Sequence, residues 1–269
     1  MPNTNGPVTV VIPARFGSSR FPGKPLAKLA GKPLIQHTYE RVRSAPGVDR
    51  VLVATDNDRI RQAVLEVGGE VITPEGQFRT GTDRVAAVAQ EVPGNVFVNL
   101  QGDEIALHPE LLTDLIRPFL ASGALMGTLK RALMSSGEVR NPAIVKVVTD
   151  RQGNALYFSR SSIPYVRDRE PGKFVSGLHY VHLGIYIYTR ETLLRLATMP
   201  TSPLEDAEKL EQLRALEAGI PIRVWETRHP SLRIDTPKDL REAAAALIGQ
   251  TRRRTTARPG TRKGGLTKR

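Results

Sequence analysis

The stretch that decides the fold reads Val8-Thr9-Val10-Val11-Ile12-Pro13, and the loop after it reads Ala14-Arg15-Phe16-Gly17-Ser18-Ser19-Arg20-Phe21-Pro22-Gly23-Lys24-Pro25-Leu26. The first six residues are rich in valine and isoleucine, which is typical of a buried strand. The loop combines glycine and serine with arginine and lysine, and its prolines restrict the backbone. A loop directly after a buried strand lies at the carboxyl edge of an α/β sheet, where such sheets bind ligands. Its N–H groups and cations therefore predict a phosphate site, although a solvated basic loop remains the alternative.

The spacing of glycine and lysine in this loop matches neither the P-loop nor the dinucleotide-binding fingerprint. A P-loop NTPase and a dinucleotide-binding enzyme are both disfavoured on that ground.

The N-terminal half alternates short apolar runs with amphipathic stretches. Strands are predicted at Val8–Pro13, Val51–Thr55, Glu70–Thr73 and Val96–Leu100, and helices at Pro33–Ser44, Asp56–Val67 and Thr82–Val92. Asp56 and Thr80 are the predicted N-cap residues. Near-continuous apolar strands that alternate with helices predict an α/β fold with a mostly parallel sheet flanked by helices.

The second half predicts a mixed extension of this sheet. Strands are expected at Leu125–Ala132, Ile144–Thr149, Ala155–Ser159 and His182–Tyr188, without a helix between each pair. Two helix starts follow: the capping box Ser202-Pro203-Leu204-Glu205, whose helix we expect to end at Gly219, and Thr236-Pro237-Lys238-Asp239, before a run ending near Ile248. We predict one domain over residues 7–249, with a small subregion at about 130–190.

Composition and charge narrow the classes of protein. The chain has no cysteine, no apolar run near the roughly 18–20 residues of a membrane span, and no signal-peptide pattern at its start, so we expect a cytoplasmic protein without a membrane partner. The net charge is +12, but residues 251–269 hold eight Lys/Arg and no acid, which leaves +4 for residues 1–250. We therefore predict a disordered basic tail at 250–269 on a mildly basic body.

Two acidic residues follow predicted strands at element ends. Asp103, in Asn99-Leu100-Gln101-Gly102-Asp103-Glu104, ends the fourth strand at the same sheet edge as the phosphate loop. Asp235 follows an apolar run and precedes a helix, and a simple helix-entry role is the alternative for it. Mg²⁺ takes few carboxylates together with phosphate oxygens, so the two residues predict a metal-assisted nucleotidyl-transfer centre.

From about Val8 to Leu247 the chain resembles the 3-deoxy-manno-octulosonate (Kdo) cytidylyltransferases, also called CMP-Kdo synthetases. Besides the first loop and the Asn99–Glu104 motif, the ordered matches are Gly81-Thr82-Asp83-Arg84, Asn141-Pro142, Val145-Lys146-Val147-Val148, Ala155-Leu156-Tyr157-Phe158-Ser159-Arg160, His182-Leu183-Gly184-Ile185-Tyr186, Ser202-Pro203-Leu204-Glu205, Leu210-Glu211-Gln212-Leu213-Arg214 and Asp235-Thr236-Pro237. The resemblance implies a Rossmann-like nucleotide-binding sheet of the nucleotide-diphospho-sugar transferase type and a homodimer. It also implies CTP and an acidic sugar as substrates, with Mg²⁺ as cofactor.

The resemblance assigns roles position by position. For CTP it implies the nucleotide-binding residues Ala14, Arg15, Lys24, Arg84, Gln101 and Gly102. For Mg²⁺ it implies Asp103 and Asp235, which together with Arg15 and Lys24 form the expected catalytic group. For the sugar acid it implies Arg160, His182, Tyr186, Glu211 and Gln212, with packing inside a strand as the alternative for His182 and Tyr186.

Four positions depart from the family pattern: Ile105, Val181, Ile187 and Arg233. They alter the acceptor side and leave the nucleotide side intact, so amino-Kdo or sialic acid remain alternatives to Kdo. A glycosyltransferase that consumes a nucleotide sugar is a second alternative. A nucleic-acid-binding protein, suggested by the isoelectric point of about 10.3, is a third, but the body charge and the lack of zinc, helix-turn-helix or aromatic–basic motifs speak against a specific nucleic-acid partner.

Overall fold

The computed structural model describes residues 4, 6–17, 21–101, 108–170, 173–229, 234 and 236–244. The strands are β1 (Val8–Pro13), β2 (Lys28–Leu29), β3 (Lys32–Pro33), β4 (Arg50–Ala54), β5 (Glu70–Ile72), β6 (Val96–Leu100), β7 (Met126–Ala132), β8 (Lys146–Thr149), β9 (Ala155–Ser159), β10 (Tyr180–Thr189) and β11 (Ile222–Glu226). The helices are α1 (Leu34–Arg43), α2 (Asp58–Leu65), α3 (Gly81–Glu91), α4 (Pro109–Ser122), α5 (Ser136–Arg140), α6 (Arg190–Thr198), α7 (Pro203–Glu208) and α8 (Gln212–Glu217). Lys24–Leu26 forms one 3₁₀ turn, and residues 237–244 are also helical.

Nine of the eleven described strands form one sheet in the order β11-β7-β10-β6-β1-β4-β5, to which β8 and β9 attach beside β10, and β2 and β3 pair separately. Strand β1 pairs in parallel with both β4 and β6, and β4 pairs in parallel with β5. Strand β10 runs antiparallel between β6 and β7, while β11 is parallel to β7. The predicted mostly parallel sheet with a mixed extension is therefore confirmed.

Helices cover both faces of the sheet because every central strand is apolar on both sides. On one face, α1, α2 and α4 pack on alternate residues of β1 and β6, such as Val10 and Val98. On the other face, α3, α6 and α8 pack on the residues in between, such as Val11 and Phe97. These four side chains are fully buried, as a parallel sheet between two helical layers requires.

Two helix starts test the predicted caps directly. Thr80 caps α3 by accepting a hydrogen bond of 3.1 Å from the Asp83 N–H, as predicted. The cap of α2 is wrong by one residue, because the Asn57 side chain, and not Asp56, accepts from the Ile60 N–H. Asp56 instead pairs with Arg84 at 2.9 Å.

The helix predicted from Ser202 to Gly219 is two helices. Its capping box is present at Ser202 and Glu205, but α7 ends at Lys209, whose φ of 53° lies in the left-handed region. The break turns α8 back so that Arg214 meets Glu205 in a buried, two-pronged ion pair, with distances of 2.7 and 2.5 Å. Helices α4, α5 and α6 and strand β11 were not predicted, and α5 lies between β7 and β8, where no helix was expected.

The helix at 237–244 begins as predicted, with reciprocal hydrogen bonds between Thr236 and Asp239. The remainder of that run and the basic tail lie at residues 245–269, outside the described residues, so the boundaries 7–249 and 250–269 stay predictions. None of the helices within the described part of the chain has the length and apolar character that crossing a bilayer would need.

Candidate functional site

A cleft of about 440 Å³ opens at the carboxyl edge of the sheet. It lies where β1 and β6 end, beside the N-terminus of α3 and the segment between α7 and α8. Seven of the residues predicted for substrates line it: Arg15, Gln101, Arg160, His182, Tyr186, Glu211 and Gln212. The fold thus gathers side chains that are up to 197 positions apart in the sequence (Arg15 to Gln212) around one cavity.

The nucleotide side of the cleft is formed by the ends of β1 and β6 and the first turn of α3. Thr80, Gly81 and Thr82 line the cleft there, and a helix N-terminus favours an anion. A Cβ atom on Gly81 would lie 3.0 Å from Gln101 Nε2, so a larger residue here would displace the end of the Gln101 side chain. The local geometry therefore suits a phosphate-bearing ligand at this side.

Arg84 lies behind the cleft wall and does not line it. Its side chain is 9% exposed, pairs with Asp56 at 2.9 Å and lies 5.0 Å from the centre of the Phe78 ring. The hydrogen bond and charge of Arg84 lower the pKa of Asp56, against a smaller effect of burial. Arg84 Nη1 is buried and has no hydrogen-bond partner among the described residues, so one donor is left for a ligand.

The remaining nucleotide and metal predictions have different outcomes. Ala14 is buried at the end of β1. Lys24 Nζ donates a hydrogen bond of 2.7 Å to the Ile234 main-chain oxygen. Gly102, Asp103 and Asp235 lie outside the described residues, as do the departures Ile105 and Arg233. Among the residues that the structure does describe, no cluster of three or more His, Asp or Glu side chains is placed to hold a metal.

Arg160 enters the cleft wall as a clamp between two segments. Its three acceptors are main-chain oxygens. Nε donates to that of Glu208 at 2.7 Å, Nη1 to that of Pro142 at 3.1 Å and Nη2 to that of Lys209 at 3.4 Å. A guanidinium has five N–H donors, so the contacts within the described part of the chain use three and leave two. The protein thus holds the plane of Arg160 and leaves donors for an anion in the cleft.

The backbone of Arg160 is fixed by a buried lysine. Lys146 is fully buried, and its Nζ donates to the main-chain oxygens of Asn141 at 3.0 Å, Ile144 at 2.6 Å and Arg160 at 2.5 Å. All three ammonium donors are used, which offsets the cost of burial. Burial lowers the pKa of Lys146, while Glu208 opposes this shift. Sequence patterns gave no sign of this support, because it depends on the turn at Asn141–Ile144 meeting the segment at Arg160.

His182 and Tyr186 belong to β10 and both line the cleft and pack. His182 Nε2 lies 3.1 Å from Thr128 Oγ1, and its ring meets Phe158 edge-on, with ring centres 4.8 Å apart. The His182 and Tyr186 rings are 5.4 Å apart. Burial raises the pKa of the Tyr186 phenol, which keeps it a neutral hydroxyl. The two rings therefore combine a packed body with a polar edge toward the cleft.

Glu211 carries a carboxyl group in the cleft whose pKa is raised. Surrounding protein desolvates its carboxyl and raises the pKa, Asp83 adds to this, and hydrogen bonds with Thr82 and Thr80 oppose it. The side chain still reaches solvent through the open cleft, so the shift is smaller than full burial would give. Its neighbour Gln212 is 5% exposed, and Gln212 Nε2 has no partner among the described residues. An acid that is costly to ionise beside an unpaired donor marks a ligand site.

Three further cations line the cleft that sequence reasoning did not single out: Arg79, Arg131 and Lys209. Arg79 is exposed and lies 3.6 Å from Asp83. Arg131 faces Val181 directly across the pair of β7 and β10. A family resemblance assigns roles only to positions that match the family's motifs, and these three positions match none of those quoted above. Arg131 reaches the cleft through the pairing of β7 with β10, and Lys209 through the break between α7 and α8.

Known proteins resemble this chain over most of its length. Residues 9–224 match the family described as Cytidylyltransferase. The 3-deoxy-manno-octulosonate cytidylyltransferase of Geobacter sulfurreducens is 49% identical over 89% of this chain and 99% of its own. That of Pelobacter propionicus is 50% identical over 88% and 95%.

The chain belongs to the cytidylyltransferase family.

Solved structures agree with this membership. The structure of CMP:2-keto-3-deoxy-manno-octonic acid synthetase complexed with CTP superimposes with a TM-score of 0.84, at 42% identity, over 91% of this chain and 100% of that one. A cytidylyltransferase from Leptospira borgpetersenii shares the fold, with a TM-score of 0.58 at 17% identity. The predicted fold type, a nucleotide-binding sheet of the nucleotidyltransferase kind, is confirmed.

Proposed function

We propose that this cytidylyltransferase joins CMP to 3-deoxy-manno-octulosonate, using CTP and releasing pyrophosphate, and so activates this sugar for lipopolysaccharide biosynthesis. The supporting observation is one cleft with two chemically different sides. A helix N-terminus, Arg15 and Gln101 suit a nucleotide triphosphate, while Arg160, His182 and Glu211 suit an acid that carries several hydroxyls.

The reaction is an in-line displacement. The anomeric hydroxyl oxygen of the sugar acid attacks the α-phosphorus of CTP, and the bond between this phosphorus and the oxygen that bridges to the β-phosphate breaks. The hydroxyl proton leaves to solvent or a basic group, and pyrophosphate takes the bonding electrons. Both substrates are anions, so cations such as Arg15 and Lys24 lower the barrier by neutralising charge and by fixing position.

Arg84 and Gln101 are proposed for the cytidine part of CTP. The unpaired Nη1 of Arg84 offers a buried donor, as a cytosine oxygen requires. Ala14 and Gly102 would contribute backbone groups beside them. In this arrangement the base would bind at the buried Arg84 and the phosphates in the open cleft. Contacts with the base would therefore determine which nucleotide is accepted.

Asp103 and Asp235 are the proposed ligands of Mg²⁺. Two carboxylates beside a triphosphate site are a donor set that fits this hard cation, and the ion would supply charge neutralisation at the phosphates and acidify the attacking hydroxyl. The described contact that bears on this is the hydrogen bond from Lys24 to Ile234. It holds the residue before Asp235 against the loop that follows β1.

Homodimerisation and a cytoplasmic location complete the proposal. Within the subregion at about 130–190, Met134, Leu156 and Tyr165 are 76%, 62% and 70% exposed. Exposed apolar side chains of this size support a contact between subunits. Light scattering coupled to size exclusion measures the subunit number, and a monomer at micromolar concentration would remove the dimer from the proposal.

Product analysis tests the reaction against its alternatives. With CTP and Kdo, the enzyme is expected to form equal amounts of CMP-Kdo and pyrophosphate, measured by mass spectrometry and a coupled pyrophosphate assay. Free CMP from CMP-Kdo without pyrophosphate would instead identify a glycosyltransferase. A clear preference for amino-Kdo or sialic acid would keep the reaction and change the acceptor.

A further inference from the structure

Arg131 is a cation of the cleft that no predicted role includes. It lies near the end of β7, lines the cleft and is 23% exposed. Its Nη2 donates to Glu138 Oε1 at 2.6 Å, and its Nη1 to the Ala132 oxygen at 3.1 Å. Among the described residues these contacts use two of the five N–H donors, which leaves three for a ligand.

Glu138 is itself held, so it fixes the guanidinium of Arg131. The Met134 N–H donates to Glu138 Oε2 at 2.8 Å, and the carboxylate lies in the first turn of α5, which Ser135 caps. Burial would raise the pKa of Glu138, but the hydrogen bond and charge of Arg131, together with the Met134 and Ser135 N–H groups, lower it. The carboxylate is thus ionised at neutral pH and gives Arg131 one orientation.

Strand pairing explains why Arg131 is the cation at this place. Arg131 is the direct cross-strand partner of Val181, and such partners lie on the same face of a sheet. Val181 lines the same cleft and has no charge to offer. Lys130 lies on the opposite face, where it donates to Thr149 Oγ1 at 2.9 Å and lies 4.0 Å from the centre of the Tyr180 ring.

We propose that Arg131 is a binding residue for the acidic sugar and determines, together with Arg160, the preference for an acid over a neutral sugar. The inference rests on the proposed function. Glu138 is then a positioning residue that acts through Arg131. The two arginines come from β7 and from the turn after β9, and both line the cleft. An anion bound between them would contact a guanidinium on each side of the cleft.

An ion pair that only stabilises the turn before α5 is the competing explanation for Arg131. It predicts that removing Arg131 lowers stability and reduces binding of both substrates alike. A binding role predicts a loss confined to the acid. The distinction therefore lies in which KM changes and in whether the carboxylate of the acceptor matters.

The first experiment compares Arg131→Met, Arg131→Lys and the exposed control Arg117→Met with the unaltered enzyme. The acceptors are Kdo and its carboxamide, and pyrophosphate release is followed with the acceptor varied in saturating CTP and with CTP varied in saturating Kdo. Arg131→Met is expected to raise the KM for Kdo by about tenfold or more, with the KM for CTP within about twofold. The KM of Arg131→Lys for Kdo should lie between those of Arg131→Met and the unaltered enzyme, since lysine keeps the positive charge and loses the two-pronged geometry of the guanidinium. Turnover of the carboxamide should be unchanged, and Arg117→Met should behave as the unaltered enzyme.

A strand-to-strand exchange provides the second experiment. Because residues 131 and 181 face each other, Arg131→Val combined with Val181→Arg moves the cation across the pair without changing composition. The exchange is expected to lower the KM for Kdo at least threefold relative to Arg131→Val alone. If the KM for Kdo does not recover in the double variant, the proposal is overturned. The double variant restores the positive charge of the cleft without restoring the contact with Glu138, so a recovered KM reports on charge and not on the stability of the turn.

Failure of the inference is distinguishable from failure of the proposed function. If the unaltered enzyme releases pyrophosphate with Kdo and Arg131→Met leaves its KM unchanged, the inference alone is wrong. Equal loss with acid and carboxamide also overturns it, because charge recognition is then not involved. No pyrophosphate from the unaltered enzyme with any of the acids would contradict both.

Discussion

Lys24 and Ile234 are joined by a hydrogen bond of 2.7 Å from the lysine Nζ to the main-chain oxygen, across 210 positions of sequence. Ile234 is 1% exposed and packs with Leu29 and Leu34 beside the loop that follows β1. The contact brings the residue before Asp235 to the loop that follows β1. One lysine thus connects the first loop of the fold to the last segment of the proposed site.

Replacement of Lys24 by methionine tests this connection. Lys24→Met is expected to reduce kcat by on the order of a hundredfold, since loss of one electrostatic group at a transition state costs roughly 3 kcal/mol. Steady-state kinetics measures the effect, with the exposed Lys28→Met as the matched control. Equal kinetics in the two variants would remove Lys24 from the catalytic group.

Asp103→Asn and Asp235→Asn test the proposed metal ligands. Each is expected to lower Mg²⁺-dependent turnover by about a hundredfold or more, with the melting temperature nearly unchanged, because a carboxylate ligand is lost without a change in shape. Titration of activity with Mg²⁺ after chelation measures the turnover and its Mg²⁺ dependence, and thermal unfolding measures the melting temperature. Asp168→Asn, on an exposed turn, serves as control. An unchanged Mg²⁺ dependence in either variant excludes that residue as a ligand.

Strands and caps were predictable where the signal is local. The bounds of β1 and β6 were predicted to the residue, since both are apolar runs between turns, and the caps at Thr80 and Ser202 depend on neighbouring residues. The break at Lys209 was missed because the turn there is stabilised by Arg214 meeting Glu205, a contact made only in the folded chain.

The cleft shows the same division. Its predicted residues came from motifs in the sequence, whereas Arg131 and Lys146 gain their surroundings from strand pairing and from turns that meet. Val181 illustrates the difference: as a sequence position it is only a missing cation, and as a strand position it identifies Arg131 as its neighbour. The placement of seven predicted residues in one cleft leaves their individual roles as predictions.

Arg160→Ala is expected to raise the KM for the sugar acid by about tenfold or more and to change the KM for CTP little, because only the acid meets its two unused donors. Melting temperature must be measured beside the kinetics, since Arg160 also binds three main-chain oxygens. Arg151→Ala, in an exposed turn, is the control. A selective loss of CTP affinity would show that Arg160 belongs to the nucleotide side.

Glu211→Gln is expected to lower activity while raising the melting temperature at pH 8. The pKa of Glu211 is raised in the folded protein, so folding takes up protons and stability falls as pH rises from the ordinary value of 4.5 through the raised one. Glutamine removes this penalty. The gain should vanish below about pH 4, where both side chains are neutral. Differential scanning fluorimetry from pH 4 to 8 measures it, and a variant that is less stable at pH 8 than at pH 4, relative to the parent, contradicts the assignment.

The central claim is the transfer of CMP to an acidic sugar, and one panel tests it most directly. Pyrophosphate release is measured with CTP, UTP, ATP and dTTP against Kdo, amino-Kdo, sialic acid and a neutral hexose, and kcat/KM is compared across the pairs. The highest kcat/KM is expected for CTP with Kdo, and no release is expected with the neutral hexose. Release with a nucleotide other than CTP at equal efficiency, or with neutral sugars, would contradict it.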